Sequence, residues 1–309
     1  MQEFNSHDEV RSGYTVSAEM KKIWAIQMDL LQQLLDVCQT NGLRCWVDGG
    51  TMLGAVRHHG YIPWDDDLDV CMPRPDYDRL VQIGPKAFKS PCFFQSAYSD
   101  VDYFRGHAQL RNSNTTAIRP SESYRKFNQG IFIDIFPLDG VPEDAEQARR
   151  VAKQSKKIQK LLKAANLNVL YSGRWLQIFR KFKSRYLIRK YGWETLYKRS
   201  EDCLRSTPVE GSKYWAELSF SGTQFYYEAK AFDTTKWVDF ENMKVPVPGD
   251  TDNCLRRQYG DNYMTPIHAA TCHGEVVFDT ERSYRETAPA IFKAFKRQSI
   301  QRLFKKIRK

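Results

Sequence analysis

The run Trp64-Asp65-Asp66-Asp67-Leu68-Asp69-Val70 constrains this chain more than any other feature, because four carboxylates sit at the mouth of an apolar stretch. The pattern predicts a strand over Leu68–Met72. On a strand, side chains two apart share a face, so Asp67 and Asp69 should project together and Asp65 should join them. Like charges crowded on one face repel, which is costly unless a cation lies between them. An oxygen-only ligand set of this kind suits a hard ion, Mg²⁺ or Mn²⁺.

Seventeen positions before Asp67, Gly50 lies in Val47-Asp48-Gly49-Gly50-Thr51, where a short strand over Leu43–Val47 ends and a helix over Thr51–His58 begins. A strand-to-helix turn of this composition exposes backbone N–H groups to an anion, and Gly49 and Gly50 let a phosphate approach closely. Arg57 follows two helical turns on and could pair with phosphate oxygens. A phosphate cradle beside metal-binding carboxylates is what phosphoryl or nucleotidyl transfer needs. The third acid to recruit is Asp134, inside Ile131-Phe132-Ile133-Asp134-Ile135-Phe136. An aspartate alone among apolar strand neighbours is expensive unless a metal or hydrogen bonds compensate it.

Three other readings compete. An aspartate run often marks a solvated loop or helix cap. A calcium loop matches at Asp65, Asp67 and Asp69, but Val70 stands where glycine is needed and Asp76 where glutamate is. A sugar-nucleotide Asp-x-Asp motif normally follows most of a nucleotide-binding sheet, and only 66 residues precede Asp67. The glycine turn and the carboxylate strand together argue for the transfer site.

The rest of the chain reads as one α/β catalytic domain. Residues 1–16 are expected to be a flexible tail. Ser17 caps a helix to about Cys38, with Ile23, Trp24, Met28, Leu31, Leu34 and Leu35 on one broad face. Further strands are expected at Cys92–Gln95, His107–Arg111, Ile131–Phe136, Tyr214–Phe220 and Val245–Val247. The domain should run over 17–290, with a basic helical insertion at 143–206 and a basic amphipathic tail at 291–309. Seven cysteines at wide spacing suggest reduced thiols, and Cys254, His268, Cys272 and His273 fit no common zinc spacing. No stretch approaches the roughly 18 to 20 apolar residues of a membrane span, and the polar start lacks a signal-like core. A cytoplasmic protein is expected.

The stretch from Gly49 to Val70 resembles the signature of the LicD family, which contains phosphocholine transferases and is related to fukutin and fukutin-related ribitol-phosphate transferases. Phe132–Pro142 and Tyr259–Pro266 resemble two further blocks. The resemblance implies a nucleotidyltransferase-like fold, with a small mixed sheet and flanking helices. It also implies metal-dependent transfer of a phospho-alcohol from a CDP-activated donor to a hydroxyl of a cell-surface glycan or its lipid-linked precursor. Carried onto this sequence, Asp67 and Asp69 become the metal pair, Asp65 a close neighbour, and Asp134 the third acid and a possible base. Gly50 and Thr51 become the donor-phosphate loop. Tyr259-Gly260-Asp261 could line the site or simply end a helix.

The net charge of +10 is unevenly spread. Residues 149–199 hold 16 Lys or Arg against a single acid, and residues 293–309 hold 8 with none. In the tail Phe292, Phe295, Ile300, Leu303, Phe304 and Ile307 recur at helical spacing, so 291–309 could lie on an anionic membrane surface at its cytoplasmic face. The competing reading is a solvated basic face packed on the domain. Nucleic acid is not the expected partner, because no helix-turn-helix, zinc-finger or RNA-recognition signature accompanies the basic segments. The alternatives are a nucleotidyltransferase acting on a small molecule or RNA, and a membrane-associated scaffold.

Overall fold

Ser17 starts the first long helix, accepting a hydrogen bond from the Met20 amide at 3.1 Å, and Gly42 stops it in the left-handed conformation. The computed structural model describes residues 7–168, 177–268 and 275–307. Trp175, Cys272, His273, Arg308 and Lys309 lie outside them, as do residues 1–6. Helix α1 (Ala18–Asn41) buries Trp24, Met28, Leu31, Leu34 and Leu35, the apolar face expected from its periodicity. Full burial of each such side chain contributes about 1.5–3 kcal/mol.

Strands β1 (Glu9–Arg11) and β2 (Tyr14–Val16) pair antiparallel ahead of α1. The expected flexible tail therefore does not extend over 9–16. Ser12 and Gly13 both take positive φ and close a two-residue hairpin, Val16 is buried, Arg11 pairs with Glu241, and Lys21 pairs with Glu9.

The main sheet is built on β8 (Ile131–Gly140), the longest strand. Its first half pairs antiparallel with β6 (Ala108–Asn112), which continues to β5 (Cys92–Gln95). Its other edge pairs parallel with β4 (Asp69–Pro73), which continues antiparallel to β3 (Trp46–Val47). Its end pairs with β9 (Tyr214–Ala216), and β9 with β10 (Tyr227–Glu228). This is a mixed α/β architecture. Helix α2 (Gly49–His58) leaves β3 directly, and α3 (Arg74–Ala87) leaves β4. Ile133 and Ile135 pack in the principal core with Leu30, Leu31 and Leu34 of α1, whereas Ile131 joins a smaller cluster with Ile23 and Ala117. The strand expected to run to Phe220 ends at Ala216, where a turn begins.

The basic insertion forms α4 (Ala145–Ala164), α5 (Gln177–Tyr191) and α6 (Trp193–Leu204). Leu162 of α4 and Leu196 and Tyr197 of α6 close over Ala97 and Phe104, leaving most of the lysines outward. Helix α7 (Thr251–Tyr259) follows a hairpin of β11 (Thr235–Phe240) and β12 (Met243–Pro248). Strand β7 (Thr116–Ile118) pairs with β13 (Val277–Asp279).

The last helix, α8, spans Tyr284–Ile307 without a break at 290. The expected boundary at 290/291 therefore falls inside a helix. Its first turns are tied to the domain: the Tyr284 amide donates to the Thr115 carbonyl at 2.8 Å, and the Thr287 and Thr116 hydroxyls lie 2.8 Å apart. Among the described residues no helix is long and apolar enough to cross a membrane.

Candidate active site

The sheet register lines up polar residues across four neighbouring strand segments. The Asp48 amide donates to the Asp69 carbonyl at 3.0 Å, Asp69 stands opposite Asp134, and Asp134 stands opposite Gln109. Residues directly opposite one another on neighbouring strands share a face, so these four form a row across the sheet. Asp134 and Asp69, 65 residues apart in sequence, thus become immediate neighbours.

Asp67 reaches the row differently from the sequence expectation. The strand begins at Asp69, and Asp65–Asp67 form an irregular segment before it, after a turn at Pro63–Trp64. The reason lies in α1: the Trp24 indole N–H donates to the Asp65 carbonyl at 3.0 Å and the Gln27 amide to the Asp66 carbonyl at 2.9 Å. These carbonyls are therefore held by a helix rather than by a neighbouring strand. Carboxylate oxygens of Asp65, Asp66 and Asp67 come within 4.8 Å of one another.

The N-terminus of helix α2 lies against Asp65 and Asp69. Asp48 caps it, accepting from the Gly49 amide at 2.8 Å and from the Tyr227 hydroxyl at 2.6 Å. A Cβ at Gly50 would lie 2.7 Å from an Asp65 carboxylate oxygen, and one at Gly49 would lie 3.2 Å from an Asp69 oxygen. Gly49 also has a φ of +54°. Glycine is therefore needed here for close approach. The buried Thr51 hydroxyl accepts from the Asp69 amide at 2.9 Å, stapling the helix to β4.

The charges are strongly perturbed. Burial, then the charges of Asp67, Asp134, Glu217 and Asp65, push the Asp69 carboxyl well above the usual carboxylate range. Burial and Asp67 push Asp65 up to about 8. Burial also opposes the charge on Asp134, but His107, Arg105 and Gln109 outweigh it and hold its pKa below the usual value. The Gln109 side-chain amide donates to Asp134 Oδ1 at 2.6 Å, and His107 Nε2 lies 3.1 Å from the same oxygen. Burial pushes the His107 pKa below its usual value, against the pull of Asp134. Carboxylates crowded at the positive end of a helix, and still pushed toward protonation, form a hard-oxygen set whose repulsion a divalent cation would relieve.

Two residues that carried no role in the sequence reading, Glu217 and Tyr227, complete the wall together with Tyr259. Burial and Asp48 raise Glu217, in the turn after β9, well above the usual range, and the Ser221 hydroxyl donates to it at 2.7 Å. Tyr227 holds Asp48. Tyr259 ends α7, and its hydroxyl lies 4.0 Å from a Cβ built at Gly49, so it both terminates a helix and borders the site. Asp261 does not join it and pairs with Arg256 instead. Glu217 carries the same signal as Asp134, an acid embedded in an apolar run, and that signal could have found it.

Arg57 stands apart from the carboxylates. Its Nη1 donates to the Tyr263 carbonyl at 2.8 Å and its Nε to His58 Nε2 at 2.9 Å, which clamps the segment after α7 onto α2. Asp139, inside the Phe132–Pro142 block, forms a two-toothed buried pair with Arg74 at 2.6 and 3.0 Å.

Residues 42–160 match the family model described as the LicD/FKTN/FKRP nucleotidyltransferase domain. The chain is 23% identical over 245 residues to a lipopolysaccharide cholinephosphotransferase LicD of Haemophilus influenzae, covering 77% of this chain and 89% of that one. It is 32% identical over 114 residues to an uncharacterised protein of Rickettsia prowazekii, covering 37% and 39%. A 50-residue stretch is 46% identical to the human ribitol 5-phosphate transferase FKRP, covering 16% of this chain and 10% of that one. Residues 42–160 thus resemble a nucleotidyltransferase domain of the LicD type, and the Asp48–Asp69–Asp134 row lies inside that match.

Proposed function

We propose that this protein transfers a phospho-alcohol from a CDP-activated donor to a hydroxyl of a cell-surface glycan or its lipid-linked precursor. Phosphocholine is the first candidate, and glycerol- or ribitol-phosphate also fit. The observation that carries the reading is the meeting of Asp69 and Asp134 in register, with Asp65 against the N-terminus of α2 and Asp67 beside it.

The donor's phosphates seek the same helix end that Asp65 and Asp69 already approach. Anions can share that position when a cation lies between them. Asp65, Asp67, Asp69 and Asp134 would hold Mg²⁺ or Mn²⁺, which when bound would neutralise charge on the donor pyrophosphate. Gly50 and Thr51 present backbone amides to phosphate oxygens. Asp134, kept ionised by His107 and Gln109, is positioned to accept the proton or hydrogen bond of the incoming hydroxyl. Tyr259 borders the opening and narrows access for water. CMP is the leaving group, departing opposite the attacking oxygen.

The work would take place at the cytoplasmic face of a membrane, with the basic residues of 291–309 toward anionic lipid. Phe292 still packs against Tyr124, with ring centroids 6.2 Å apart, while Ile300 is exposed. Lipid contact would therefore fall to the helix beyond Phe292.

The test is incubation with CDP-choline, CDP-glycerol or CDP-ribitol, Mg²⁺ and a cell-envelope glycan extract, with CMP measured. CMP release that requires the metal and Asp67 is expected. Incorporation of the nucleotide itself, or no reaction with any donor, overturns the reading.

A further inference from the structure

A second concave site lies one turn of chain away from the carboxylates. It is a cavity of about 530 Å³ between α4, α5 and residues 221–224, within the range usual for ligand sites. Arg149, Lys153, Lys156, Lys157 and Lys160 line it from one face of α4, and Arg180 adds a sixth cation from α5. Their spacing of three, four and seven residues is that of one helical face. Ser221, Thr223 and Gln224 supply neutral polar groups opposite.

Elsewhere in the fold, buried or half-buried arginines have found acids: Arg74 pairs with Asp139, Arg205 with Asp78, and Arg105 with Glu122. Among the described residues no carboxylate forms a salt bridge with any of the six cavity cations. Lysines four apart, such as Lys153 with Lys157 and Lys156 with Lys160, repel at a cost of a few tenths of a kcal/mol per pair. Burial and Lys160 hold the Lys156 ammonium below its ordinary pKa, in keeping with a partly desolvated, like-charged group. Gly222 takes a φ of +73° and brings the backbone close enough that a Cβ would lie 3.2 Å from Lys156 Nζ.

The cavity is coupled to the carboxylates by its own wall. Ser221 donates to Glu217. Phe220 packs on Phe136 and His107, with ring centroids 4.8 and 5.5 Å apart, and His107 touches Asp134. Gln159 of α4 lies 2.7 Å from a Cβ built at Gly106, the residue before His107. One end of the 217–224 turn thus faces the transfer site and the other faces six cations.

We propose that this cavity is the acceptor subsite and that it takes an anionic stretch of the acceptor glycan, one bearing phosphate or carboxylate groups. The proposal rests on the transferase reading above and names the class of its acceptor. Lysine clusters bind phosphate or carboxylate oxygens as point charges. Among the described residues the cavity lining holds no aromatic ring, whereas single-stranded nucleic acid is typically held by base stacking on aromatic side chains. That favours a glycan over a nucleic acid.

The test measures glycan binding to the full chain in the absence of donor. The probes are a phosphomannan oligosaccharide, an oligogalacturonate, an uncharged mannan oligosaccharide of equal length and a single-stranded 20-mer oligonucleotide. One or both charged oligosaccharides should bind at least tenfold more tightly than the neutral one, and which of the two does so tells phosphate from carboxylate. The Lys153→Gln/Lys156→Gln/Lys157→Gln variant should lose at least tenfold of that affinity with an unchanged melting temperature, and its salt dependence should flatten. Arginine at the same three positions should retain binding. Equal binding of charged and neutral glycans, indifference to the triple variant, or tighter binding of the oligonucleotide than of either charged glycan each overturns the proposal. CMP release by the wild-type protein is assayed separately. Its absence alongside the expected binding pattern overturns the donor chemistry while supporting the anionic subsite.

Discussion

Asp69 and Asp134 stand opposite each other where β4 and β8 run parallel, so a hydrogen-bonded register, rather than a flexible loop, sets their separation. Strand-borne ligands are positioned more firmly than loop-borne ones.

That relationship makes opposite predictions for stability and activity. Asp69→Asn removes a carboxyl that burial and its neighbours already strain. The metal-free variant should melt no lower than wild type, while CMP release should fall on the order of 100-fold or more. Calorimetry and a donor-turnover assay read the two effects. Asp134→Asn should also abolish turnover by removing the carboxylate charge, while its amide oxygen can still accept from Gln109.

Magnesium should stabilise the wild-type fold and not the Asp69→Asn fold. Ligand at a hundred times its Kd contributes about 2.7 kcal/mol. A thermal shift of several degrees with Mg²⁺ or Mn²⁺, reduced or absent in the variant, is the expected result. Equal shifts in both proteins would remove Asp69 from the ligand set.

Gly50→Ala should fold and fail. Its Cβ would lie 2.7 Å from an Asp65 oxygen, so that carboxylate must swing away. The far end of a side chain can yield, which limits the cost to about 1–3 kcal/mol. Turnover should drop at least tenfold with the donor KM raised, as steady-state kinetics would show.

Asp139→Ala tests a structural acid beside those proposed to be catalytic. It leaves the buried Arg74 guanidinium without its two-toothed partner, and breaking such a pair costs about 3–5 kcal/mol. Denaturant unfolding should show that loss. A variant that kept full stability would contradict the assignment.

Deleting 293–309 should leave the melting temperature within a degree or two, whereas deletion from Tyr284 should lower it clearly. Only the latter removes the Thr115 and Thr116 contacts. Flotation of the shorter deletion with anionic liposomes then reports on the tail alone, and recovery equal to the full chain would end the membrane reading.

Much of the site was legible because its residues come in runs. Gly49–Thr51 and Asp65–Asp69 are local patterns, and Asp134 is conspicuous among isoleucines and phenylalanines. Glu217 and Tyr227 arrive singly from distant segments, and only the sheet order β10-β9-β8-β4-β3 gathers them. His107 was assigned to a strand without a role, since nothing local places it beside Asp134. Arg57 matched a phosphate-binding spacing, yet two backbone carbonyls occupy its guanidinium. The hairpin at 9–16 was hidden because its strands are three residues each, too short for alternation to register, although Ser12-Gly13 is a turn pair. Pro289 invites a helix start after it, but it sits in the second turn of α8, where the earlier turn is fixed by tertiary bonds.

The hydrogen bond from Tyr227 to Asp48 has a consequence for how the protein can be divided. The family match ends at residue 160, yet the tyrosine that holds the cap of α2, the strand that lengthens the sheet and the tyrosine at the rim all come from beyond it. A fragment cut at that border would keep every aspartate and still leave Asp48 short of a partner, with one sheet edge laid bare. Such a piece should aggregate or stay inert, because heredity drew its outline in one place and cooperative folding drew it in another.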